Sequence, residues 1–382
     1  MFTHPHHHHA EKLFHLKSKL GLLYWHLIIQ AFALSLVSIF VPIYLLIIGF
    51  TLPEVFFFVL IEWTVFGLCA PLYGKIIHRT GVKEVILMRT PVYAGALVLL
   101  SLLEHSLLMQ QYYYIIAVFT GFSGGIYTLS ITSLFAKYIG EKKQSEKTGE
   151  FFALPKLASL IGPALGGIIA VLLGFIVLFL FAVVLLFLSI IPLSFVKQNI
   201  DHPPFTCAVF ARMRKMKKEC FMLAAYGIKT LVFVILIPLT LYVIAHSVLT
   251  TGVVISILSV ASALVTIAVG VMSDKHKRRP LVKFSSIGTA VVFLLIGASL
   301  GAPFLVYLLL IASIVCLFVD IPYETHLYRQ ARKKSPLEFL AFKEFFLWVG
   351  RFVFLIAVMC IGAQLSGAFY LGAVASCAFL FF

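Results

Sequence analysis

The amino-acid sequence predicts an all-α membrane protein of twelve transmembrane helices in two pseudo-symmetric six-helix bundles, with both termini cytoplasmic. Three observations carry this expectation. The 382-residue chain is 62% hydrophobic and only 12% charged, whereas a soluble domain is about half apolar and a quarter charged. Its apolar runs recur about every 32 residues, room for a ~20-residue span and a loop. Its net charge of +15 gathers in alternate loops, as in membrane proteins with a basic cytoplasmic face. A soluble enzyme and a disordered chain are excluded. Continuous runs without alternating ~10-residue segments argue against a barrel.

Taken in order, the spans are 20–48, 53–77, 83–103, 108–139, 151–173, 175–196, 219–245, 250–272, 280–300, 302–326, 337–361 and 364–382. Lys12, Lys17 and Lys19 precede the first span, whose apolar run is too long for a cleavable signal. The turns at Thr51-Leu52-Pro53, Leu103-Glu104-His105, Gly174, Ala245-His246-Ser247, Gly301 and Ala363-Gln364 contain no Lys or Arg. The opposite set carries Lys75, Arg79 and Lys83, then Lys142, Lys143 and Lys147, then Arg212, Arg214, Lys215, Lys217 and Lys218. It continues with Lys275, Lys277, Arg278 and Arg279, and ends with Arg329, Arg332, Lys333 and Lys334. The charge therefore reads as topology rather than as a nucleic-acid footprint. Residues 1–19 form a cytoplasmic tail, 20–196 the first bundle, 197–218 a central cytoplasmic loop and 219–382 the second bundle. The tract His4-Pro5-His6-His7-His8-His9 could hold a soft divalent metal, but reads more readily as a flexible tail or an expression remnant. Cysteine spacing matches no zinc site, and no disulfide is expected in a reducing compartment.

The two halves resemble one another. A shift of 196 residues superposes Pro42 on Pro238 and Gly74 on Gly270, and Glu150-Phe151-Phe152 recurs as Glu344-Phe345-Phe346 at a shift of 194. The second span is followed by Gly74-Lys75-Ile76-Ile77-His78-Arg79-Thr80-Gly81-Val82-Lys83, the eighth by Gly270-Val271-Met272-Ser273-Asp274-Lys275. Both are similar to the G-x-x-x-D-R/K-x-G-R/K-R/K loop of the major facilitator superfamily. Gly149, Ala158, Gly162-Pro163 and Gly166-Gly167 resemble that family's fifth-span motif, which is commonest in its multidrug-efflux-like exporters. The resemblance implies gate contacts between halves at Gly74, His78, Arg79, Gly81, Gly270, Asp274, Lys275, Gly162, Pro163, Gly166 and Gly167. Physically, a glycine lets another helix approach, and Pro163 bends its span. The first loop has His78 where the family has an acid, so only Asp274 can serve the charge lock. The fourth-span arginine that the family uses for proton coupling in drug exporters is missing from Thr120-Gly121-Phe122-Ser123-Gly124-Gly125.

Charges deep in a span cost about 2.5–3.5 kcal/mol on insertion scales and call for a partner or water. Glu62, Lys229, Asp320 and Arg351 are the deep ones, and mark the substrate or ion path. Arg89, Lys156, Glu324, Lys343 and Glu344 are shallower and read as interfacial anchors. Glu62 lies 15 residues before Ile77 and Arg351 lies 14 after Leu337, so the two are expected at one depth as a pair between halves. Asp320 is the candidate protonatable group, or else a structural partner of Lys229 or Lys343. Pro42, the Gly121/Gly124/Gly125 cluster, Pro238 and Pro322 are expected to bend the spans lining a cavity, to which His26, Gln30, Tyr44 and Tyr127 could add polar contacts.

With no phosphate-binding loop, zinc motif or nucleophile elbow in the sequence, an enzyme is not expected. The reading is a multi-pass secondary transporter of the cytoplasmic membrane. It moves a small, amphipathic or weakly charged molecule by alternating access, with efflux favoured and H+ as candidate coupling ion. Beyond that substrate and the lipid bilayer no partner is expected: no nucleic acid, no cofactor, and a monomer. A non-transporting sensor or scaffold and an uptake permease are the alternatives.

Overall fold

The computed structural model describes residues 19–138, 155–195, 205–206, 208–211, 216–275, 278–333 and 335–381. The histidine tract, Gly149 and most of the central loop lie outside the described residues, as do the side chains of Asp274 and Lys275. Backbone in hydrocarbon must satisfy its own hydrogen bonds, and the regular structure is helical throughout. The first half contains α1 (Lys19–Val37), α2 (Phe40–Ile47), α3 (Leu52–Leu68), α4 (Ala70–Thr80) and α5 (Val82–Leu102). There follow α6 (Leu107–Gln111), α7 (Tyr113–Tyr138) and α8 (Gly162–Ser194). A single turn, α9 (Ala208–Ala211), precedes α10 (Lys217–Leu231), α11 (Ile237–Ala245), α12 (Val248–Lys275) and α13 (Arg278–Ala298). The chain ends with α14 (Leu305–Val315), α15 (Leu317–Lys333), α16 (Pro336–Cys360) and α17 (Leu365–Ser376).

Among the described residues, eight helices are long and apolar enough to cross a membrane, and the pair α3–α4, bent by 51°, makes up to nine. One of the eight, Pro155–Ser194, runs for 40 residues. It is broken at Gly174, whose φ of 87° and ψ of 165° lie where only glycine sits without strain. The helix α16 carries Glu338, Lys343, Glu344 and Arg351, and the apolar helix Leu365–Phe381 is short. Composition and length alone therefore do not mark these two as spans.

Prolines set the breaks. A proline ring clashes with the carbonyl four residues earlier and removes one helix bond. The α1–α2 break at Ser38-Ile39 lies about one turn before Pro42, and the wide turn Val232–Leu236 lies just before Pro238. The break at Cys316 comes six residues before Pro322. The glycine cluster of α7 acts otherwise. That helix is unbroken from Tyr113 to Tyr138, and a Cβ on Gly121 or Gly125 would meet the backbone of Glu62 or Phe66. These glycines let α3 close on α7 instead of bending it.

The buried apolar residues fall into two clusters. One holds Phe40–Leu45, Phe56–Leu60, Leu97–Leu103, Leu178, Phe179, Leu231–Leu241 and Phe354–Val358, at the end bearing the uncharged turns. The other holds Leu23, Tyr73, Ile77, Val82, Ile86, Leu129, Phe205, Met216, Leu327 and Leu337–Leu347, at the end bearing the basic loops. Between them lies a belt containing His26, Gln30, Glu62, Arg89, Lys229, Asp320 and Arg351.

Helix pairs meet backbone to backbone through glycine. A Cβ on Gly350 would strike the backbone of Ala224, and one on Gly227 that of Leu347, so α10 and α16 are in van der Waals contact. Gly350→Ala should therefore destabilise the protein by about 1–3 kcal/mol. Gly95→Ala, with nothing within 4 Å of its Cβ, should be neutral or stabilise by about 1 kcal/mol. Thermal unfolding of the two variants in one detergent checks the opposite signs.

Candidate functional site

The second-half side of the belt is an ion-pair chain on α10, α15 and α16. Lys229, 1% exposed, donates to Asp320 and, at 3.1 Å, to the carbonyl of Cys316. That carbonyl also accepts the backbone N–H groups of Val319 and Asp320, at 3.0 and 2.9 Å, so the ammonium is a further donor on a carbonyl already bonded within the helix turn. One turn along α15, Glu324 takes Lys343 Nζ on both oxygens, at 2.9 and 3.0 Å. Arg351 Nη2 donates to Thr230 Oγ1 at 3.2 Å, and its Nη1 lies 4.0 Å from Glu344. Three cations thus face three carboxylates, and Asp320 keeps 28% of its side chain exposed. Lys156, from the first half, donates to Thr266 Oγ1 at 2.8 Å on α12.

Arg351 also reaches the first half. Its guanidinium lies 4.1 Å from the Trp63 ring centroid and 5.9 Å from that of Phe66. Trp348 Nε1 donates to Thr64 Oγ1 at 3.3 Å, and its Cβ packs where a Gly67 side chain would be. The expected Glu62–Arg351 pair is not formed: the carboxylate beside Arg351 is Glu344. The depths match, but successive residues of a helix point about 100° apart. Trp63 therefore faces α16, while Glu62 turns towards Thr120 on α7.

The first-half side of the belt holds a second polar chain. His26 Nδ1 lies 2.8 Å from the Ser189 carbonyl, which can only accept, so Nδ1 carries a proton. The Tyr127 hydroxyl then donates to His26 Nε2 at 3.3 Å. Ser189 Oγ donates to Gln30 Oε1 at 3.0 Å. Arg89 lies 4.0 Å over the Tyr127 ring and 5.7 Å from that of Tyr93. Tyr44 is elsewhere, packed on Phe175 and Phe179 among the apolar residues of the uncharged end. The anchors expected at Arg89, Lys343 and Glu344 are instead buried, at 3%, 6% and 8% exposure. Distance from a helix end gave their depth but not whether they face lipid or protein.

The motif residues divide. A Cβ on Gly162 would strike Ser35, and one on Gly166 the Leu36 carbonyl, so both pack on α1 within the first half. Gly167 and Pro163 are the ones that meet α12, at Val248 and Gly252. Gly81 turns the chain at φ 97° between α4 and α5, beside exposed His78 and Arg79. Gly270 lies in α12, with Asp274 and Lys275 in its last turn. Gly74 was expected to admit a helix, but the Phe205 ring of the central segment fills that space. Thr206 then donates through its N–H and hydroxyl to buried Glu338 on α16, and Phe210 packs on Phe342 and Phe345. Phe205, Val209 and Phe210 inside an otherwise polar loop were the sequence signal for this clasp.

A family model described as Major Facilitator Superfamily matches residues 23–334. No curated protein sequence matches the chain. Among solved structures, a D-xylose-proton symporter is similar at 13% identity with a TM-score of 0.73, covering 94% of this chain and 95% of that one. The human organic anion transporter MFSD10 (TETRAN) is similar at 15% identity and a TM-score of 0.61, covering 93% and 98%. A variant of the E. coli fucose:proton symporter FucP is similar at 11% identity and a TM-score of 0.65, covering 94% and 96%. At these identities the likeness is one of fold.

Removing one member of a buried pair strands the other, at a cost of about 3–5 kcal/mol. Asp320→Asn should therefore lower thermal stability clearly, whereas Lys229→Met with Asp320→Leu should recover most of it. Unfolding midpoints of the single and double variants provide the check.

Proposed function

The chain belongs to the Major Facilitator Superfamily, and from that membership we propose that it is a secondary transporter in which two six-helix halves, 20–196 and 219–382, rock about the polar belt. The observation that carries the reading is the chain Lys229–Asp320, Lys343–Glu324 and Arg351–Glu344. Among the described residues it lies between two apolar cores and meets the first half through aromatic rings, Lys156, a tryptophan N–H and packing at Gly67. Charges this deep in a spanning protein are expensive and belong to substrate or ion paths.

Twelve spans follow if α3–α4 is one, the run through Gly174 is two, and α16 and Leu365–Phe381 are one each. The basic loops then face the cytoplasm, with both termini, in the cytoplasmic membrane. The central segment 197–218 joins the halves, and its Phe205–Thr206 clasp ties α4 to α16 on that side. A monomer is sufficient, because both halves of the path are in one chain.

The substrate is a small molecule with an apolar body, matched to Trp63, Phe66, Tyr93 and Tyr127. Asp320 is the coupling group: it is bound to Lys229 yet partly exposed, so a proton arriving on the carboxylate releases the lysine. The fifth-span glycines support export, by resemblance to exporters. Two of the three structural relatives are named as proton symporters, which supports proton-coupled import as the second reading.

Proteoliposomes with an imposed pH gradient test this. A fluorescent amphiphile and a labelled sugar should distinguish direction and class, and flux of either should collapse with the gradient. Asp320→Asn should abolish gradient-driven accumulation while leaving counterflow exchange. Accumulation by Asp320→Asn at the wild-type level would remove Asp320 as the coupling group, and no flux with either probe in either direction would remove the transporter reading.

A further inference from the structure

Among the described residues, three of the buried cations face a carboxylate: Lys229 has Asp320, Lys343 has Glu324 and Arg351 has Glu344. Arg89 has none. It is 3% exposed, and both Nε and Nη2 lack any hydrogen-bond partner. These two nitrogens are not an arbitrary pair. The Nε–H and the syn N–H of Nη2 lie parallel in the guanidinium plane, and together form the edge that takes both oxygens of one carboxylate.

The surroundings hold that edge ready. Tyr127 lies against the guanidinium at 4.0 Å and Tyr93 at 5.7 Å, and Nε and Nη2 are themselves buried, so a ligand reaches this edge when the surrounding side chains part. Tyr127 is itself fixed by His26, and His26 by the Ser189 carbonyl, so α1, α7 and α8 jointly set its position. Ser123 Oγ donates to the Arg89 carbonyl at 3.1 Å, tying α5 to α7 at this residue. Arg89 is seven residues beyond Val82, about 10 Å along the helix, on the belt rather than at its rim.

We propose that the Nε–Nη2 edge of Arg89 is an anion-binding fork, and that it takes the carboxylate of a small monocarboxylate whose apolar body lies among the aromatic side chains. One cation without a second beside it matches a single negative charge and not a polyanion. This rests on the transporter reading and narrows its substrate class. A free inorganic anion and an anionic lipid headgroup offer related chemistry, and the test separates them.

The protein is placed in nanodiscs of phosphatidylcholine only, and benzoate binding is measured by calorimetry against benzamide, its uncharged counterpart, and inorganic phosphate. Benzoate should bind saturably, and benzamide and phosphate at least about tenfold more weakly, the range of one charged hydrogen-bonded contact. Arg89→Gln should lose benzoate by about tenfold or more, and Arg89→Lys, which keeps the charge but not the fork, should also weaken it. A second readout guards against misfolding. An unfilled fork leaves a buried cation unpartnered, so Arg89→Met should melt at or above the wild-type temperature without ligand. Equal benzoate binding by wild type and Arg89→Gln, or none by wild type, overturns the proposal. So does phosphate binding as tightly as benzoate, benzoate binding lost when phosphatidylglycerol is added, or a lower midpoint for Arg89→Met. Benzoate binding without flux of any probe in proteoliposomes would instead sink the transporter reading and leave the fork standing.

Discussion

The structure depends on keeping charge inside an apolar body. A carboxylate or ammonium in this interior loses its water, and the loss is recovered only by a close partner with further hydrogen bonds. The belt between the two cores meets that demand in two ways. On α10, α15 and α16 cations meet carboxylates directly, as in Lys229–Asp320 and Lys343–Glu324. On α1, α5, α7 and α8 the groups are mostly neutral, a serine, a glutamine, a histidine and a tyrosine bound in sequence. The single cation among them, Arg89, rests on aromatic faces.

Helix breaks are part of the same arrangement. At the break between α14 and α15 the Cys316 carbonyl keeps the backbone N–H groups of Val319 and Asp320 and takes Lys229 as well. Close approach does the complementary work. Gly121 against Glu62, Gly350 against Ala224 and Gly67 against Trp348 bring backbones together. Side chains of the belt are then near enough to pair.

Local signals were legible in the sequence and azimuth was not. Pro42 and Pro238 announced breaks because a missing N–H acts within one turn, and Gly174 announced a turn because its backbone conformation suits glycine. Lys229 and Asp320 were legible as partners by type and depth. Glu62 and Arg351 had the right depth too, yet a rotation of about 100° put Trp63 where Glu62 was expected. Arg89, Lys343 and Glu344 read as surface anchors because counting from a helix end measures height alone. Phe205 and Glu338 were missed although Phe205, Val209 and Phe210 stand out as apolar residues in the polar loop 197–218, because the pattern does not say which helix they fold back upon. The glycines of the fifth-span motif showed close packing, but not that Gly162 and Gly166 face α1 while Gly167 faces α12.

The distribution of contact types between and within the halves fits the rocking motion proposed above. Separating a buried ion pair costs about 3–5 kcal/mol, too much to repeat at each turnover unless both charges find new partners. A guanidinium on an aromatic face is worth about 0.5–2 kcal/mol, tolerates sliding across the ring, and strands no second charge when it parts. The ion pairs Lys229–Asp320, Lys343–Glu324 and Arg351–Glu344 all lie within the second half. Across the α3–α16 contact the protein uses Arg351 on Trp63, a Trp348–Thr64 hydrogen bond and glycine packing. Among the described residues the ion pairs are thus confined to the second half, and the α3–α16 surface is built from interactions weak enough to part in the cycle proposed above.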